Sequence, residues 1–351
     1  MISVIIQKDD IKSKKWAQAA YSLGINIVQQ KGSPIRAPFF LFNYLLKNKK
    51  PKAYILRYLN DYPSFIKTLI RTLSEITVIG ICLILRIKIF WICHNVDKDS
   101  IRNFPRISSF RRKMIATLVK KIFVTDSLLA QSAKEILPKY GHKIDYISFG
   151  EIEGFEKGAG DNESIKFLNE RKEYATQNGH HFFAVLCAGA PDAPKSLHFH
   201  YLIKLIEDAK KNNLYLAVLV AGNWNSSISR KLLATFQHNS NILIFEKYTT
   251  FSSGFIKNNI DFYFRGYDDY SVPFTIYEAC TLQKPILALD IGFLPRMIEF
   301  YELGVVTKEN FIDIDKSLHK LSQPSKFKFK EFLEEKKWSG LGEKLVQHIN
   351  E

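Results

Sequence analysis

The feature that most constrains this chain is an alternation of short β-rich runs with longer amphipathic ones, made twice in succession. A parallel sheet flanked by helices satisfies such a pattern. In the first half the predicted strands are 2–7 (ISVIIQ), 25–29, 53–59 (AYILRYL), 88–93 (KIFWIC), 121–125 and 143–148. Residues 150–164, GEIEGFEKGAGDNES, then crowd Gly, Glu and Asp together and interrupt the apolar periodicity, which marks a linker. A second series follows at 182–188, 214–221, 241–246, 260–264 and 285–290. At 351 residues the chain exceeds what one core usually serves. The expected domains are 1–155 and 156–330, with 331–351 a closing helix, interrupted around Gly340 and Gly342 and free to pack back on the first domain.

The charge is as uneven as the pattern is regular. Residues 1–150 hold 26 Lys and Arg against 9 Asp and Glu, an excess of 17; residues 151–351 hold 24 against 26. Between Arg102 and Lys121 seven basic residues occur with no acid, so one surface of the first half should project a positive field toward an anionic partner. The four cysteines, Cys82, Cys93, Cys187 and Cys280, are widely spaced, with no Cys-x-x-Cys pair, and read as free thiols of a reducing compartment. The N-terminus MISVIIQKDD lacks the charged and apolar regions of a signal peptide. The apolar run from Ile76 ends at Leu85, before Arg86, well short of the ~20 residues that span a bilayer. These readings imply a cytoplasmic protein.

In open parallel α/β sheets, ligands bind where the chain leaves the carboxyl ends of the strands and helix N-termini turn their free N–H groups outward. Polar and glycine residues occupy those places here. His94, Asn95, Asp97 and Asp99 follow KIFWIC; Asp126 follows KIFVT; Gly189 ends FFAVLCA; Gly222 and Asn223 end LYLAVLVA; Arg265 follows IDFYF; Asp290 ends PILALD. His198 and His200, two apart, diverge on a helix and do not form a metal pair. There is no Gly-x-Gly-x-x-Gly and no Walker loop.

The layout, the His-Asn after a first-domain strand, and FRGYDDYSVPFTIYEACTLQKPILALDIGFLPRMIEFYELGVV (264–306) together resemble GT-B glycosyltransferases. The group 1 enzymes and related bacterial polysaccharide glycosyltransferases are the most similar. The resemblance implies an α/β fold of two tandem Rossmann-like domains (GT-B) facing each other across a cleft. Glu278 stands where the family has a helical Glu, ahead of a Lys-Pro-Ile strand, that accepts hydrogen bonds from the donor ribose. Pro273, Phe274 and Thr275 open that helix, whose N–H groups suit a diphosphate. In LCAGAPDAPKSL, Gly189 and Lys195 match the family's glycine and diphosphate-holding lysine. Ala190 stands where an Arg is common, and Arg265 is expected to substitute for it. On the acceptor side, Asp97 and Asp99 are candidate general bases, His94 a positioner or alternative base, and Asn95 and Asp126 line the same edge. Retaining members carry a second Glu eight residues before the first; here that residue is Tyr270, so inversion is favoured. The Gly-rich loop usual after the first strand is also absent from VIIQKDDIKSKK.

The expected reaction moves a sugar from a nucleotide-diphosphate donor, a UDP- or GDP-sugar, to a lipid-linked or polysaccharide acceptor. No other cofactor and no metal is required, because a helix N-terminus and cations can neutralise the leaving diphosphate. The basic cluster at 102–121 and the aromatic, basic stretch PIRAPFFLFNYLLKNKKPK (34–52) are expected to hold the enzyme peripherally on an anionic membrane surface. Two alternatives remain. A nucleotide-sugar 2-epimerase shares the architecture, and a non-enzymatic nucleic-acid-binding protein would explain the charge while leaving Glu278 and the second domain without a purpose.

Overall fold

The computed structural model describes residues 1–99, 101–189, 197–222 and 227–350. The chain divides into two compact units. The first comprises Met1–Gly150, Tyr270–Val272 and Lys336–Glu351; the second comprises Glu151–Asp269 and Pro273–Glu335.

In the first unit, strands β1 (Ile2–Ile6), β2 (Ile25–Gln29), β3 (Ala53–Arg57), β4 (Lys88–Ile92), β5 (Lys121–Val124) and β6 (Ile144–Tyr146) form a parallel sheet in the order β2-β1-β3-β4-β5-β6. Every residue of β3 is buried, as expected of an interior strand covered on both faces. The connecting helices are α1 (Ile11–Tyr21), α2 (Ala37–Lys47), α3 (Phe65–Ile84), α4 (Pro105–Leu118) and α5 (Ser127–Ile136). Helix α1 opens on a reciprocal cap. The Asp10 carboxylate accepts from the Ser13 N–H and the Asp10 N–H donates to the Ser13 hydroxyl, both at 2.9 Å. Where a glycine would ease the turn after β1, Lys8 adopts φ 75°, and Tyr58 just after β3 adopts φ 39°. Two left-handed non-glycine residues beside each other's strands mark this edge as locally strained.

In the second unit, β7 (His181–Gly189), β8 (Leu214–Gly222), β9 (Ile242–Phe245), β10 (Phe262–Arg265), β11 (Ile286–Leu289) and β12 (Gly304–Thr307) are also parallel, in the order β12-β11-β10-β7-β8-β9. Counted from β7, this is the 3-2-1-4-5-6 order of dinucleotide-binding sheets. The twelfth strand was not among those expected. It pairs at the sheet edge because Gly304 has no side chain: a Cβ there would lie 1.9 Å from the Ile286 carbonyl oxygen. The helices are α6 (Asp161–Gln177), α7 (His198–Lys211), α8 (Ser227–Gln237), α9 (Ser253–Asn259), α10 (Phe274–Thr281), α11 (Leu294–Phe300), α12 (Ile314–Leu321) and α13 (Phe329–Glu335). Helix α6 starts inside the segment expected to be linker.

The final helix, α14 (Gly340–Asn350), belongs to the first unit and lies on α1, where Gly342 permits contact with the Ala20 backbone. His348 and Lys344 hold Asp145 of β6 at 3.1 and 3.0 Å. All four cysteines are buried and unpaired.

Candidate functional site

Each sheet reverses its strand order once, between β1 and β3 in the first unit and between β7 and β10 in the second. Beyond the carboxyl ends of such strand pairs the flanking loops diverge and leave a crevice. The polar residues at these two points define two candidate sites, one in each unit.

In the second unit the crevice is bounded by Gly189, which ends β7, and Arg265, which ends β10. Gly189 has φ 148°, a backbone conformation that side chains disfavour, and a Cβ there would stand 3.5 Å from the Arg265 guanidinium. Arg265 is 1% exposed. Its Nη1 reaches the Tyr267 hydroxyl at 3.4 Å, while Nε and Nη2 have no hydrogen-bond partner among the described residues. A buried guanidinium with two unmade hydrogen bonds carries a substantial desolvation cost. It makes sense where an anionic ligand completes the set.

Glu278 lies one turn into α10, partly buried, and accepts from the Tyr263 hydroxyl at 3.4 Å. Burial raises its pKa; Arg265 and Tyr263 oppose that, and the net shift is upward. Pro273 is the N-cap of α10 and provides no side-chain cap, while the Ile276 N–H donates to the Pro273 carbonyl at 3.1 Å. The Thr275 Oγ1 in that turn is buried with no partner among the described residues. His198 on α7 closes the back. Its Nδ1 donates to the Gly266 carbonyl at 2.9 Å, and burial, reinforced by Arg265, lowers its pKa to about 3. The ring is therefore neutral at physiological pH and cannot supply a cation. Lys195, expected to hold the diphosphate, lies outside the described residues, as does Asn223.

In the first unit the corresponding arginine is Arg57, which ends β3 and is also 1% exposed. All its nitrogens are engaged. Nε donates to His94 Nε2 at 3.3 Å, Nη1 to Asp10 at 2.9 Å and Nη2 to the Tyr58 hydroxyl at 3.1 Å, while its backbone N–H donates to Gln7 Oε1 at 2.8 Å. Burial pushes the Asp10 carboxyl up, but Arg57, the Ser13 N–H and Lys8 outweigh it, and the pKa ends below the ordinary value. His94 stacks on Tyr58, ring centroids 4.3 Å apart and planes 13° from parallel. Because its Nε2 accepts from Arg57, the neutral ring carries its proton on Nδ1.

The rest of the 94–99 loop is braced from behind. The Asp97 Oδ1 accepts from the Tyr270 N–H at 3.0 Å, and its Oδ2 lies 3.7 Å from Lys98; the side chain is half-buried. Asn95 bridges to Ser271, and the Val96 N–H donates to the Tyr270 carbonyl. Asp99 is buried and pairs with Arg112 at 2.8 Å; burial raises its pKa against the pull of Arg112. Asp126 is the N-cap of α5, accepting from the Leu128 N–H at 2.8 Å, and pairs with the buried Lys336 at 2.9 Å. His94 and Asp97 thus remain nearer solvent, whereas Asp99 and Asp126 are committed to ion pairs inside the fold. Two of the seven cluster cations are likewise withdrawn from the surface. Arg111 is fully buried against Asp61 and Glu75, and Arg112 is used by Asp99.

Sequence reasoning missed Asp10, Arg57 and Tyr58. A charged residue within AYILRYL reads as an outward-facing strand position; only the adjacency of β3 to β1 reveals it as a crevice residue.

Solved structures resemble the whole chain. Sucrose-phosphate synthase from Thermosynechococcus elongatus aligns with a TM-score of 0.64 at 10% identity, over 99% of this chain and 98% of that one. A glycosyltransferase from Rickettsia africae ESF-5 aligns at 0.59 and 12% identity, over 99% and 98%. UDP-GlcNAc 2-epimerase from Methanocaldococcus jannaschii aligns at 0.53 and 14% identity, over 99% of both. No protein-family model and no curated protein sequence matches the chain. The chain has two Rossmann-like domains and the GT-B fold, and its resemblance to GT-B glycosyltransferases holds in structure as in sequence.

Proposed function

We propose that this protein is a glycosyltransferase that binds a nucleotide-diphosphate sugar on its second domain and transfers the sugar to a lipid-linked or polysaccharide acceptor held by the first. The observation that carries the reading is the unsatisfied, buried Arg265 guanidinium beside the bare backbone of Gly189 and one helix away from Glu278. Arg265, Lys195 and the N-terminal turn of α10, with Pro273, Phe274 and Thr275, neutralise the diphosphate as it leaves; Glu278 accepts from the ribose hydroxyls. Structures similar in fold carry UDP: the Staphylococcus aureus MnaA structure and pneumococcal GtfA with UDP and GlcNAc. This supports a UDP-type donor.

In an inverting transfer a base takes the acceptor hydroxyl's proton as its oxygen attacks the anomeric carbon, and the sugar–phosphate bond breaks with its electrons on the diphosphate. Asp97 is the base in this reading, through its Oδ2, and His94, held by Arg57, positions the acceptor. Asn95 shapes the same loop. Asp99 and Asp126 hold the framework. The protein works peripherally at the inner face of the membrane, where a lipid-linked acceptor is found.

Calorimetry with UDP and GDP tests the donor site, and transfer assays with candidate acceptors test the reaction. The epimerase reading has its own support in the 2-epimerase neighbour; UDP-sugar turnover by the purified protein without acceptor would select it over transfer.

A further inference from the structure

The first half of helix α3 carries its polar side chains inward, and Val78, Ile79 and Cys82 are buried beyond them. Its buried residues include Thr68, Arg71, Thr72, Ser74 and Glu75, whereas Ile66, Leu69, Ile70, Leu73 and Ile84 are exposed at 66, 41, 44, 55 and 82%. A helix on a water-soluble domain normally shows the opposite arrangement. The inner polar face is fully organised. Arg71 pairs with Glu75 at 3.0 Å, and Glu75 takes two bonds from Arg111 at 2.8 Å each. Arg111 also holds Asp61 at 3.1 Å, and Arg71 donates to the carbonyls of Asn60 and Tyr58. This buried charge network fixes the rotation of α3 and so fixes which face is left outside. Helix α2, packed against α3, adds Phe39, Phe42 and Leu46 at 72, 58 and 69% exposure.

The stretch of chain that carries this apolar surface exposes charge of one sign. Between Lys31 and Val96 the only acids are Asp61 and Glu75, both buried in the network, while Arg36, Lys47, Lys49, Lys50, Lys67 and Arg86 are exposed. No described helix is long and apolar enough to cross a membrane, and the polar inner face of α3 is committed to the protein. A self-complementary pairing of two copies would set this cationic rim against itself. An anionic bilayer neutralises the rim and takes up the apolar side chains together.

We infer that the outward face of α3, with α2 beside it, is the surface by which this protein lies on an anionic phospholipid bilayer. The inference deepens the proposed function by naming the element that meets the lipid, and it stands on geometry that does not involve the donor site. A helix of this length lays about 30 Å of apolar stripe in the plane of the interface. The basic 102–121 segment, in which Arg111 is buried and Arg112 is paired with Asp99, is secondary to it.

Flotation of the full chain with phosphatidylcholine vesicles, with and without phosphatidylglycerol, tests this. Wild type should float with anionic vesicles and much less with neutral ones. The triple variant I66S/L69S/L73S should lower partitioning by at least about tenfold, since each loses most of its apolar burial, with circular dichroism unchanged. The variant K47E/K49E/K50E should lose the anionic preference, as should wild type in high salt. Absence of wild-type binding, or undiminished binding by the serine variant, would overturn the inference. So would a wild-type dimer that the serine variant dissociates in the absence of any vesicle binding, because a second copy would then be the occupant. UDP calorimetry on the same variants keeps the two proposals apart: intact donor binding without flotation defeats only the docking surface, and flotation without donor binding defeats only the transferase reading.

Discussion

Arg57 and Arg265 occupy equivalent places in their two sheets. Each ends the strand beside its domain's first strand, at the point where strand order reverses, and each is 1% exposed. Yet Arg57 engages each guanidinium nitrogen with His94, Asp10 or Tyr58, whereas among the described residues Arg265 reaches only Tyr267. The same topology thus presents a finished polar network in one domain and an unfinished one in the other. The finished network orders a loop; in the proposed reading the unfinished one is completed by the donor's diphosphate. Location at a strand's carboxyl end is therefore not enough to identify a ligand-binding group, and hydrogen-bond completeness separates the two cases.

The largest expected effect follows from this contrast. Arg57→Met removes the partner of buried or half-buried groups and should lower unfolding free energy by about 3–5 kcal/mol, read by chemical denaturation. Arg265→Met removes a poorly satisfied buried cation and should leave stability unchanged or raised. Equal destabilisation of the two variants would break the comparison.

His198 gives a pH test of the second crevice. Its folded pKa, about 3, lies below the usual 6.5, so the unfolded chain binds the proton first as pH falls. Stability should decline from pH 6.5 toward 3, by a few kcal/mol in order of magnitude. His198→Leu should flatten that slope, as monitored by urea unfolding across this range.

Glu278→Ala should weaken donor binding by about 1.5–3 kcal/mol, the worth of hydrogen bonds to a charged acceptor, measured by calorimetry. Because the carboxyl titrates above its ordinary 4.5, affinity should be present above the raised value and fall as acid protonates it. The smallest effect belongs to Asp10. Its pKa is lowered from 3.8, so its stabilisation is present above that value and lost below it as the carboxylate protonates. Asp10→Asn should cost about 1 kcal/mol at neutral pH, and the gap to wild type should close in acid.

The alternation of strand and helix was legible because apolar runs such as FFAVLCA and PILALD are long and bounded by turn residues. Gly304–Thr307 escaped notice: GVVT is only four residues, half-buried, and its pairing depends on a missing side chain rather than on apolar content. In the site, Glu278 and Arg265 could be marked from sequence since their motif is local. Arg57 could not, because what buries it is the neighbouring β1 and the distant His94. The same holds for charge. The 102–121 run looks uniformly cationic until Asp61, Glu75 and Asp99, remote in sequence, are seen to consume Arg111 and Arg112. The sequence marks only the apolar run from Ile76 to Leu85; that the first half of α3 turns polar groups inward becomes visible only when the Arg71–Glu75–Arg111 network shows which side is inside.

The most direct test of the donor site is calorimetric titration of UDP and GDP into wild type and Arg265→Met, with melting curves of both unliganded proteins alongside. The account predicts that wild type binds one of the nucleotides, and that the variant melts no lower than wild type while its affinity falls by at least about tenfold, the loss of a charge-assisted contact. Unchanged nucleotide affinity in a folded Arg265→Met variant would contradict it.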